Sequence, residues 1–121
     1  MILDEPEIHL AEHVLVPDLG GWRRERLPAV PDDAYITLAP DWACEVLSQS
    51  TRRLVRGPKR EAYAEHLVEW LWFVEPLDQL VEVLHLDGPT YRVVQTATGN
   101  DPARLPPFDA IELPLSVFWQ R

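Results

Sequence analysis

The sequence predicts a single domain over residues 1–121, of α/β or α+β class, with a mixed sheet and a flanking helix. Three observations point there. Strand-like patterns outnumber helical ones. The near-continuous apolar run Trp70-Leu71-Trp72-Phe73-Val74 reads as a central strand buried on both faces. Helical spacing is confined to one stretch, where Gly57-Pro58 suits a helix start and Lys59, Tyr63 and His66-Leu67 carry it to about Val68.

Taken in order, residues 1–6 have no capping or turn logic. Ile8 and Leu10 alternate with Glu7 and His9, as in a strand with one wetter face. Ala11-Glu12 turns or bulges, and Val14-Leu15-Val16 is a β-branched strand running into Pro17-Asp18. Gly20-Gly21 then allows a bend. Residues 26–40, rich in Pro and Asp, form a surface connection holding one short extended piece at 35–38. Residues 42–47 make a buried strand, which the polar run Ser48-Gln49-Ser50-Thr51 ends. Beyond the central strand, 80–84 and 91–94 flank Asp87-Gly88, a hairpin signal. A proline-rich loop follows at 100–107, then an expected last strand at 108–113 and a closing apolar turn at 115–119.

Composition narrows the function classes. No stretch has the make-up of a signal peptide, and the apolar runs are too short to cross a bilayer, so no membrane role is expected. The lone Cys44 cannot form an intrachain disulfide and fits a reducing, cytoplasmic setting. A net charge of -9 opposes broad attraction to nucleic acid. However, eight of the 11 basic residues fall in two clusters: Arg23, Arg24 and Arg26, then Arg52, Arg53, Arg56, Lys59 and Arg60. These read either as solvated loop arginines or as a local phosphate-facing patch.

The candidate chemistry rests on charge placed in apolar surroundings. Glu45 lies between Trp42, Cys44, Val46 and Leu47, where a carboxylate is costly unless paired or coordinated. Asp18 ends an apolar strand beside two glycines; it could equally be a turn-forming aspartate. Lys59 is the only lysine. Two carboxylates and a lysine suit a metal-dependent phosphodiesterase, because Mg²⁺ takes oxygen ligands and an ammonium can orient the attacking water. The rival constellations are poor. His9, His13, His66 and His85 lack zinc spacing, Cys44 reads as core filler, and Gly20-Gly21 opens no phosphate loop.

Val16-Pro17-Asp18, Ala39-Pro40-Asp41, Cys44-Glu45-Val46-Leu47-Ser48, Ser50-Thr51, Lys59, Tyr63 and Trp72-Phe73-Val74-Glu75-Pro76 together resemble the Uma two family. This is a group of restriction-endonuclease-like proteins of the PD-(D/E)XK superfamily, and the resemblance runs from about Glu7 to Trp119. It implies a restriction-endonuclease-like mixed sheet and a nuclease site using Mg²⁺ or Mn²⁺ on DNA. Asp18 would be the motif aspartate and Glu45 the strand carboxylate. The Val46 carbonyl would be a further metal ligand. Leu47 stands at the usual lysine position, and the role passes to Lys59 on the helix. Arg23, Arg24, Arg52, Arg53 and Arg56 would hold phosphates.

The chain also departs from the family pattern. Val55 replaces an aspartate four residues before Lys59, which predicts a looser lysine and weak turnover. Leu67 replaces a glycine after the helix, and Ser48-Gln49-Ser50 replaces Ser-Pro-Ser. Family members carry further N-terminal elements whose lack here predicts uncovered sheet and a homodimer. The competing reading is a catalytically silent relative serving as a binding or oligomerisation module.

Overall fold

A computed structural model describes residues 1–100 and 102–119. Its centre is the parallel pair β5 (Trp42–Val46) and β6 (Trp70–Glu75), in register from Trp42↔Trp70 to Val46↔Val74. Parallel neighbours need a crossover, and the helix supplies it. It runs as α1 (Arg52–Leu54), a π-helical segment (Val55–Lys59) and α2 (Arg60–Glu65). On one side β6 pairs antiparallel with β7 (Leu80–Asp87), and β7 with β8 (Thr90–Thr98). On the other, β5 pairs with β4 (Leu19–Gly21) and β4 with β1 (Ile2–Asp4). The described residues thus form a six-stranded mixed sheet, with β2 (Ile8–Leu10) and β3 (His13–Leu15) as a separate hairpin.

Strand alternation gives the sheet two different faces. Ala43, Leu47, Leu71, Phe73 and Leu84 pack with Val55, Ala62 and Tyr63 of the helix and with Ile8, Leu10 and Leu15 of the hairpin. Trp42, Cys44, Trp72, Val74, Val81 and Val83 point the other way and are covered by Leu105 and Leu115. The C-terminal segment therefore does the covering that the expectation of an open sheet left to a second copy. The Phe108 ring meets Trp42 and Trp72 edge-on, with centroids 4.9 and 5.8 Å away.

Four local expectations are corrected. Residues 2–4 are an edge strand, not an irregular start. Gly20-Gly21 is strand rather than bend, paired with Ala43 and Trp42, and glycine suits it because a Cβ on Gly21 would lie 3.0 Å from the Trp42 ring and one on Gly20 would lie 3.0 Å from Pro6. Residues 108–113 form no strand; beyond the single bridge Ala103↔Leu113, the Arg104 guanidinium donates to the carbonyls of Asp109 and Ala110 and turns the chain there. The helix starts at Arg52, not at Gly57-Pro58. Pro58 lies inside it, in the π-helical segment, where the Arg60 amide reaches back to the Val55 carbonyl. Such a wide turn accommodates a ring that would collide with a tighter helix and a residue without an N–H donor.

The helix ends in a Schellman arrangement: the Val68 amide donates to the Tyr63 carbonyl and the Leu67 amide to that of Ala64. Leu67 takes the left-handed position at φ 60°, where a Cβ is strained, and its side chain is 73% exposed. Leu67→Gly is therefore expected to stabilise the fold by about 1 kcal/mol, raising the thermal midpoint by roughly 4 °C. An unchanged or lower midpoint would show that this residue stores no strain.

Candidate functional site

The register of β4 on β5 sets Leu19 opposite Cys44, so Asp18, one residue earlier, arrives beside the end of β5. Its Oδ2 accepts the Val46 amide at 2.6 Å. Amide and carbonyl of one strand residue point to the same side, so the Val46 carbonyl faces Asp18 as well. Glu45, one step along, points to the helix face and is 3% exposed. Its Oε2 accepts the Tyr63 hydroxyl at 2.8 Å and lies 2.5 Å from the Lys59 Nζ. Lys59 Nζ also lies 3.5 Å from the Val16 carbonyl, so one ammonium spans β5 and the β3–β4 connection.

Burial pushes the Glu45 carboxyl up from its ordinary range; the hydrogen bond and charge of Lys59 and the Tyr63 hydroxyl pull it back, while the Asp18 charge pushes it further up. Tyr63 is held protonated, first by burial and then by the Glu45 charge, so its hydroxyl remains a donor. Cys44 lies on the opposite face and its thiol is pushed far up, first by burial, which agrees with a packing role and removes it as a nucleophile.

This meeting of two carboxylates and a lysine at one strand end is accompanied by a family match. The family model described as "Putative restriction endonuclease", Uma2, matches residues 3–116. The chain belongs to the Uma2 family. A crystal structure described as a putative nuclease belonging to DUF820, from Anabaena variabilis ATCC 29413, superposes with a TM-score of 0.75 at 19% identity. The match covers 98% of this chain and 66% of that one, and at such identity it shows a shared fold. No curated protein matches. The family is thus one described as putative restriction endonucleases, and the fold is shared with the Anabaena variabilis protein, of whose length this chain spans 66%.

Against the Uma2 pattern, Leu47 is buried on the same sheet face as Glu45, two residues on. A lysine there would reach toward Glu45 from the strand; Lys59 reaches it from the helix instead. Val55 is helical and buried in the core, so an aspartate at this position would enter apolar surroundings. Glu45 and the Val16 carbonyl are the contacts that position the Lys59 ammonium.

The arginines divide. Arg23 pairs with Asp41 and Glu69, and Arg26 with Asp41. Arg52 bridges to Glu75 at 2.8 Å. Arg56 pairs with Glu75 and Glu82, and its guanidinium lies 5.1 Å over the Phe73 ring. Those contacts leave Arg23, Arg52 and Arg56 with internal partners. Arg24 and Arg53 are exposed, and among the described residues neither lies within ion-pair distance of a carboxylate. Glu75 is buried between two arginines, Arg52 and Arg56, a pairing the sequence reading does not anticipate. The signal was present: Leu71, Phe73 and Glu75 alternate onto one face of β6. Among the described residues, no helix is long and apolar enough to cross a membrane.

Proposed function

We propose that this chain is an endonuclease that hydrolyses DNA phosphodiester bonds with Mg²⁺ or Mn²⁺. The observation that carries the reading is the convergence of Asp18, Glu45 and Lys59 at the end of β5. The donor set fits a hard cation, since Asp18, Glu45 and the Val46 carbonyl offer oxygen alone. Such an ion, when bound, lowers the pKa of its water and offsets charge on the phosphate. Lys59 would orient the attacking water and donate a hydrogen bond to the hydroxide formed as the water's proton passes to bulk solvent; Tyr63 keeps Glu45 aligned from behind. Arg24 and Arg53 contact phosphates along the strand, which positions DNA without reading sequence.

The test is Mg²⁺-dependent nicking of a supercoiled plasmid by the purified chain. Asp18→Ala is expected to lower the rate on the order of 10³-fold. No metal-dependent nicking by the wild type, or equal nicking by the variant, would refute the reading. Internal pairing of Arg23, Arg52 and Arg56 favours a second reading, a silent binding or oligomerisation module, and that is what an inactive wild type would indicate. Because both sheet faces are covered, a homodimer would join at a free strand edge, with β8 the longer; sedimentation velocity distinguishes it from monomer. A cytoplasmic location agrees with a DNA substrate and a reduced, buried thiol.

A further inference from the structure

His13 opens β3, directly after the two-residue turn at Ala11-Glu12, while Glu65 and His66 close α2. They come from distant parts of the chain, yet His13 Nδ1 lies 2.9 Å from His66 Nε2 and 3.7 Å from Glu65 Oε2. The three ligand atoms all lie within 4.8 Å of one another. The two imidazoles stand nearly perpendicular, at 83° with centroids 5.1 Å apart.

We propose that His13, Glu65 and His66 form a second cation site, for Zn²⁺ or a chemically similar first-row ion, that clips the β2–β3 hairpin to the end of the helix. Donor chemistry separates it from the all-oxygen site: two imidazole nitrogens and one carboxylate select a borderline ion over Mg²⁺. The spacing is close to what such an ion needs. Two nitrogens about 2.0–2.1 Å from a tetrahedral centre lie roughly 3.3 Å apart, a small opening from the observed contact. All three side chains are partly exposed, so an ion can enter from solvent and a water or external ligand can complete the shell. The carbonyl end of the helix adds partial negative charge at the same place. The ion would anchor the helix that carries Lys59 and Tyr63, from its far end. The inference does not depend on the nuclease reading.

The experiment uses the full chain, stripped with EDTA, and titrates Zn²⁺ by calorimetry, with Co²⁺ as a spectroscopic substitute. One Zn²⁺ per chain is expected, with visible d–d bands of tetrahedral Co²⁺ and a raised thermal midpoint on addition of Zn²⁺. His13→Asn and His66→Asn should each weaken Zn²⁺ binding by more than about 100-fold, beyond the loss typical of an outer partner. Glu65→Gln, at an exposed position where misfolding is least expected, should weaken it by at least about tenfold. Asp18→Ala should leave Zn²⁺ binding in place. No saturable Zn²⁺ binding by the wild type overturns the proposal. So does undiminished binding in folded His13→Asn and Glu65→Gln variants, or loss of binding in Asp18→Ala alone, which would assign the ion to the carboxylates.

Discussion

Glu45→Gln is expected to abolish metal-dependent cleavage, by on the order of 10³-fold, while leaving the protein folded. The amide keeps the shape and can still accept from Tyr63, but it offers no charge to a cation or to Lys59. Removing one partner of a buried pair usually strands the other. Here the Lys59 side chain is 19% exposed, so its ammonium can find water. The pH dependence has a defined sign. Because burial raises the folded-state pKa of Glu45 despite Lys59, this carboxyl contributes stability below the ordinary glutamate range, and that contribution is lost as pH rises through the raised value. The wild type therefore loses ground to Glu45→Gln as pH rises through that interval. Cleavage by the wild type should run the opposite way, rising with pH as the carboxylate ionises. Nicking rates and urea denaturation at several pH values measure both. A variant cleaving within tenfold of the wild type would remove Glu45 from the chemistry.

Leu105→Ala should be the most damaging single truncation in the C-terminal segment, at about 2–5 kcal/mol. Leu105 is 0% exposed and sits with Trp42, Trp72, Val74 and Val81 on the sheet face away from the helix. Its loss would open a cavity against rigid aromatic rings, which cannot close in as a flexible chain would. Ile111→Ala is the internal comparison: this residue is 57% exposed, and its truncation should cost under about 0.5 kcal/mol. Urea midpoints for the two variants decide the matter. Similar, small losses would mean that residues 103–119 do not seal the second face.

The carboxylates of the candidate site are legible because each breaks a local pattern. Glu45 interrupts an apolar strand, Asp18 ends one, and Lys59 has no other lysine to be confused with. The 70–74 run and the hairpin were legible for the same reason, since period and turn chemistry are local. In the hairpin, Gly88 takes φ 64° in the two-residue turn between Asp87 and Thr90, as its position after Asp87 suggested. The three-residue strands β1 and β4 had no such trace. Glycines carry no alternation, and a strand that short exists only because its neighbours pair with it.

What the sequence by itself determined, then, is which residues seek burial and which charges cannot be buried alone; these follow from each side chain's own transfer cost and from its nearest neighbours along the chain. Tertiary structure alone decided which partner each charge receives. Arg56 receives Glu75 and Glu82, and Lys59 crosses from the helix to Glu45 on β5. His13 and His66, 53 residues apart, became neighbours in the same way. Long-range pairing leaves no period in the sequence, because it depends on how the packed elements are set against one another and not on any one element's own pattern.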